Sequence, residues 1–125
     1  MAGPAVGDAR VTVLTHADLQ EIGWVPLHGE EGIDNKILWR SESGDMIVGL
    51  MRLRPGTADA GHVHPAATQH AWVIEGYARI AGRDVGPGSY AFVPPGIAHH
   101  TATVGSQTCT MFYVYQPFEP RHREH

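Results

Sequence analysis

From Lys36 onward, short runs of β-forming residues alternate with clusters of turn formers. Lys36–Arg40, Met46–Arg54, Gln69–Glu75, Tyr77–Ala81, Ser89–Val93, His99–Val104 and Thr108–Tyr115 read as strands, and SESGD, RPGTADAG, GRDVGPG, PPG and GSQ as turns between them. In the last run Met111, Tyr113 and Tyr115 fall on one face and Phe112 and Val114 on the other, the two-residue period of a strand. Upstream, VTVLT reads as extended and leads into a short helix capped by Thr15 or Asp18, the one convincing helix signal in the chain. Strands this short, punctuated this often, predict an all-β antiparallel sandwich or barrel with at most one or two short helices.

Length sets the domain count. A chain of 125 residues makes one domain, read here as a flexible lead over 1–10, a folded unit over 11–118 and a solvated tail over 119–125, with no room for a dinucleotide module. The tail histidines, His122 and His125, bind metal only adventitiously in this reading. Fifteen glycines and nine prolines fit the many turns. The formal net charge of −4 disfavours nucleic acid and anionic membrane as partners. Neither a signal-type leader nor an apolar run of spanning length is present, so the expectation is a soluble, cytoplasmic protein.

Nine histidines stand beside a single cysteine, a balance that points to imidazole rather than thiolate metal chemistry. Cys109 falls within a predicted strand and reads as a small buried residue. His62 and His64 are two apart, so in a strand both side chains point into one interior while Val63 points away. A turn over Pro65–Thr68 would let Gln69, and His99 from a neighbouring strand, complete the set. Neutral imidazoles with a carbonyl oxygen form a mixed N/O site suited to Fe, Mn, Ni, Cu or Zn, with positions left for substrate.

These residues carry a resemblance to the cupins. The first cupin motif, G-x5-H-x-H-x3,4-E-x6-G, is met by Gly56, His62, His64 and Gly76, with Gln69 at the Glu position. The second, G-x5-P-x-G-x2-H-x3-N, is met by Gly88, Pro94, Gly96 and His99, with Thr103 at the Asn position. The resemblance implies a double-stranded β-helix, a jelly-roll-like barrel, holding one divalent transition metal inside through His62, His64, Gln69 and His99. Over about residues 22–116 the chain is also similar to single-domain cupins grouped with dihydroxyacetophenone dioxygenase and with the cupin domain of zinc-dependent anti-sigma factors. HVHPAATQ resembles the germin metal motif, again with Gln for Glu, and pectin-degrading cupins that linearise unsaturated uronates are similar in carrying Gln at this position.

An amide in place of a carboxylate leaves a divalent ion with its full formal charge. Anionic ligands then bind more strongly, and a trivalent state is harder to stabilise, which argues against an oxalate-oxidase cycle. His70 competes with Gln69 for the fourth position, since a bulge could turn it inward, and three histidines alone are the remaining option. Of His99 and His100 the motif selects His99. His16 and His28 read as surface residues, Arg52 and Arg54 as a solvated strand face rather than a substrate clamp, and Glu75 as a turn residue. Trp24, Trp39, Trp72, Phe92, Phe112 and Tyr113 read as core or pocket wall.

The expected function is a metal-dependent, dioxygenase-type enzyme. Iron is the first choice of ion and Mn, Ni or Zn the alternatives, with a small anionic or enolisable substrate chelated at the metal. Its rivals are a Lewis-acid isomerase, decarboxylase or cyclase, and a non-catalytic sensor. A homodimer is expected because open sheets leave edges to cover.

Overall fold

Alternation decides which side chains meet. The computed structural model describes residues 5–6, 10–27, 31–58, 67–95 and 100–117. Its strands are β1 (Ala5–Val6), β2 (Val25–Pro26), β3 (Ile33–Arg40), β4 (Ile47–Leu53), β5 (Ala67–Glu75), β6 (Tyr77–Ile80), β7 (Arg83–Val85), β8 (Tyr90–Val93), β9 (Thr101–Val104) and β10 (Cys109–Pro117). The single described helix, α1 (His16–Glu21), follows a capping box in which Asp18 N–H donates to Thr15 Oγ1 (3.1 Å) and Thr15 N–H to the Asp18 carboxylate (2.9 Å). Both predicted cap residues thus take part, Thr15 as the cap.

Seven strands form one sheet in the order β1-β3-β4-β10-β5-β8, with β2 beside β3, and three form a second in the order β7-β6-β9. Every pairing is antiparallel except β1 with β3. Several elements depart from the sequence expectation, β2 among them. VTVLT pairs with nothing in a described sheet, and Val11 and Val13 are 91% and 72% exposed, so local β propensity is not matched by a partner strand. Ala5–Val6, within the predicted lead, pair with Trp39–Arg40. Arg83–Val85, read as turn, forms a short strand antiparallel to β6, with Arg79 and Asp84 paired across the two at 2.6 Å.

Register stacks the inward side chains of the large sheet in levels. Ile47, Tyr115, Gln69 and Val93 are successive cross-strand neighbours at one end of the barrel. Next come Gly49, Tyr113, Ala71 and Ala91, then Met51, Met111 and Val73. At the far end Leu53 and Cys109 pair, both fully buried, against Ile33 and against Ala78 from the small sheet. The core is therefore apolar at its base and polar toward Gln69. No helix among the described residues is long and apolar enough to cross a membrane.

Glycine appears where a side chain cannot fit. A methyl on Gly49 would lie 2.9 Å from the Tyr113 hydroxyl and 2.8 Å from the Lys36 carbonyl, so the ring occupies space that only hydrogen leaves free.

On the outer face of β3 and β4, α1 and the Trp24 segment cover a charged cluster. Lys36, buried, donates to the Leu19 carbonyl at 2.7 Å and lies over the Trp24 ring, as does Arg52. Asp34, also buried, accepts from Arg52 (2.9 Å) and Arg54 (3.0 Å). Burial pushes the Asp34 carboxyl up, but the hydrogen bonds and charges of the two arginines outweigh it and hold the group below the usual carboxylate value. Its stabilisation is therefore present in full above the unfolded pKa and lost as pH falls through the depressed folded one. Asp34→Ala is expected to cost about 1–3 kcal/mol at neutral pH, since two arginines lose their partner but keep access to water. Urea midpoints measured over a pH series check this: the gap to wild type should hold down to about pH 4 and close below it.

Candidate functional site

Gln69 and His70 are adjacent on β5 and face opposite ways. Gln69 is buried, 8% exposed, and points into the barrel between Val93 of β8 and Tyr115 of β10. His70 lies on the outer face, with Nδ1 2.6 Å from the Tyr90 hydroxyl and Nε2 3.3 Å from Gln116 Oε1. Regular pairing of β5 with β10 runs from Ala67 to Val73, and the one irregularity falls at Thr110/Met111, so no bulge turns His70 inward. Of the candidate ligands, His62, His64 and His99 lie outside the described residues, as do His28, His122 and His125. Among the described residues no three His, Cys, Asp or Glu side chains group as a metal site.

Around Gln69 the interior offers oxygen donors and phenols. Tyr115 is its direct neighbour on β10, and the Tyr113 and Tyr115 rings meet edge-on at 5.3 Å. The Tyr113 hydroxyl donates to Asn35 Oδ1 at 2.5 Å, which fixes the ring over Gly49. Burial pushes the Tyr113 hydroxyl up to about 12, with Asn35 opposing, and pushes Tyr115 higher still, helped by Tyr113. Both phenols are thereby favoured in the protonated form, and the Tyr113 proton is given to Asn35. A neutral amide oxygen beside neutral phenols would suit a cation, since the described residues on this inward level include no anion to compete with an incoming anionic ligand.

Thr103, at the Asn position of the second motif, has a structural task. Its Oγ1 accepts from Thr57 N–H (2.9 Å) and donates toward the Arg54 and Thr57 carbonyls (2.9 and 3.0 Å), while its own N–H donates to the Thr57 carbonyl (2.9 Å). The turn after β4, from which the first motif sets out, is thereby bound to β9. Asn35, Tyr115 and this clamp were not singled out as functional from sequence. The alternation of β10 grouped Tyr115 with Tyr113, but only register sets it beside Gln69.

The remaining expectations divide. Cys109 is fully buried, and burial with the Glu75 charge pushes its thiol up to about 11, so it is an inert core residue as expected. Arg52 and Arg54 serve Asp34 and do not face the barrel. His16 and His100 are exposed. Tyr113 is core, but Trp72 and Phe92 are 39% and 50% exposed on the outer face, because the β5 and β8 positions that pair with them alternate outward.

A family model described as a ChrR cupin-like domain matches residues 12–119. Over 71 residues the chain is 30% identical to germin-like protein subfamily T member 3 of Arabidopsis thaliana, a stretch that covers 50% of this chain and 31% of that protein. Among solved structures, the polyketide cyclase RemF of Streptomyces resistomycificus superposes with a TM-score of 0.71 at 21% identity, covering 87% of this chain and 81% of that one. A chain of the Rhodobacter sphaeroides complex of SigE with the anti-sigma ChrR superposes with a TM-score of 0.63 at 22% identity, covering 77% and 50%. At these identities the likeness is one of fold, the double-stranded β-helix.

Proposed function

The chain belongs to the ChrR cupin-like domain family, and from that footing we propose that it is an enzyme holding one divalent transition metal through His62, His64, Gln69 and His99. Its substrate is a small anionic or enolisable molecule, and the leading reaction class is dioxygenase-type cleavage at Fe(II). The observation that carries the reading is Gln69: a buried amide at the polar end of an otherwise apolar barrel, at the fourth motif position, beside the strand end that leads toward His99. A buried polar side chain there needs a partner, and a cation supplies one for the amide oxygen.

Two further features support the set. β5 and β8 are hydrogen-bonded neighbours, β5 starting three residues after His64 and β8 ending six before His99. The Ala58–Ala102 bridge joins the segment after β4, which precedes His62 in the chain, to β9, which follows His99. When bound, the ion would supply Lewis acidity and open positions for substrate and dioxygen. Gln69 would offer the ion a neutral oxygen.

Neutral Gln69 also favours a second reading, Lewis-acid chemistry without redox change, because a neutral donor set does little to stabilise a trivalent ion. Metal analysis of natively purified protein, followed by oxygen uptake with iron-loaded protein and phenolic ketones, diketones or keto acids, separates the readings. About one metal per chain with substrate-dependent uptake supports the oxygenase. Metal with turnover but no uptake transfers support to the second reading, and metal without turnover of any substrate to a sensor. Protein that takes up no metal overturns all of them.

A further inference from the structure

Beside β7 and β8, edge strands of the two sheets, lies a cavity of about 490 Å³, a size that holds small-molecule ligands. Ile80, Val85, Ala91 and Val93 line it, and all four lie on inward faces. Ala91 and Val93 pair with Ala71 and Gln69 inside the large sheet, and Ile80 and Val85 pack against the core. Arg83 lines the cavity as well. Its register partner is Ile80 and it stands two residues before Val85, so its side chain leaves β7 on the apolar, inward side. Asp84 also borders the cavity, but alternation turns its side chain the other way, where Arg79 Nε and Nη2 hold its carboxylate at 2.6 and 3.3 Å.

Arg83 stands at the end of the barrel where the metal site is proposed. From the Gly76 corner β6 passes Ala78, fully buried at the apolar base, and reaches Ile80 and Arg83 one step further from that base. At the tip of the β6–β7 hairpin the Ala81 N–H donates to the His100 carbonyl at 3.1 Å, which ties the hairpin to the residue after His99. On the facing wall Val93 is the cross-strand neighbour of Gln69. We propose that Arg83 binds the carboxylate of the substrate and that the cavity takes its apolar aryl or alkyl body. The substrate class is then an apolar carboxylic acid whose enolisable end is left for the ion, an assignment that rests on the reading of Gln69 as a ligand. A guanidinium against an apolar wall gains most from a planar oxyanion held by two parallel hydrogen bonds. On a chain of net charge −4 such a local cation has to supply the attraction for an anion. A charge on the inner face of an edge strand also discourages stray pairing, but that task needs no cavity beside it.

Calorimetric titration of the full chain with phenylpropanoate, phenylpropanol and propanoate, in the presence of chelator, tests the proposal apart from the metal. Wild type should bind phenylpropanoate about tenfold or more tightly than either other probe, one difference reporting the cation and the other the cavity. Arg83→Met should bring the acid down to the affinity of the alcohol and leave the alcohol unchanged, a pattern that a misfolded chain cannot give; Arg83 is exposed, so the fold should hold. Arg83→Lys should recover part of the loss, and Ala91→Leu, which fills the cavity, should weaken both aryl probes. Equal affinity for acid and alcohol, acid binding that survives Arg83→Met, or no binding of the acid overturns the proposal. Metal uptake by wild type, measured separately, distinguishes the two readings: its absence overturns the ligand role of Gln69 and the reacting role of the bound acid, whereas uptake without the binding pattern overturns this proposal alone.

Discussion

Gly76→Ala is expected to lower stability by about 3 kcal/mol or more, from backbone strain and overpacking combined. Gly76 turns the chain from β5 of the large sheet into β6 of the small one at φ 80°, in the left-handed region that side chains avoid. A Cβ there would also lie 2.2 Å from the Thr108 carbonyl oxygen and 2.7 Å from Cys109 Cα. Neither atom can yield, because both are backbone and Cys109 is fully buried beneath the corner. Gly44 provides the control: at φ 82° it has the same backbone requirement, yet nothing lies within 4 Å of its Cβ position. Gly44→Ala should therefore cost only the conformational part, about 1–2 kcal/mol. Urea midpoints of the two variants make the comparison, and equal losses would show that close approach to β10 is not the cause.

The second large effect is expected at Gln69. Replacing this buried amide by Glu places a carboxylate at the polar end of the barrel, where burial disfavours its charge; without metal the variant should melt below wild type by an amount equivalent to about 1–3 kcal/mol. With a divalent ion the order should reverse, because the carboxylate adds an attraction the amide lacks, and affinity should tighten about tenfold or more. Melting with and without metal, together with chelator competition, measures both arms. His70→Ala, on the opposite face of the same strand, should leave metal affinity unchanged. A Gln69→Glu variant whose melting shift ignores metal would remove Gln69 from the ligand set.

The two predictions draw on different layers of legibility. The period of β10, the cap at Thr15 and the burial of Cys109 follow from local pattern and are present in the structure much as the sequence implies. Opposite facing of Gln69 and His70 follows from strand geometry once no bulge intervenes, which a single sequence does not specify. Pairing is harder to read. β1, β2 and β7 are two or three residues long and exist because of their partners, so their own residues carry little signal. The neighbours of Gln69 are equally opaque, since Tyr115 is 46 positions away in the chain and reaches it only through the β5–β10 register. The outward turn of Trp72 and Phe92 was hidden for another reason: large aromatic residues are usually core, and here the alternation of their strands overrides that preference.

The stacked interior also limits traffic. Leu53 and Cys109, both fully buried, with Ile33 and Met111 at 4% and 3% exposure, stop the barrel at its base. Among the described residues that end of the interior is thus sealed by packed side chains. A molecule bound at the site proposed beside Gln69 could not pass out through the Leu53–Cys109 layer, so a polymer could not be threaded through the core in that direction.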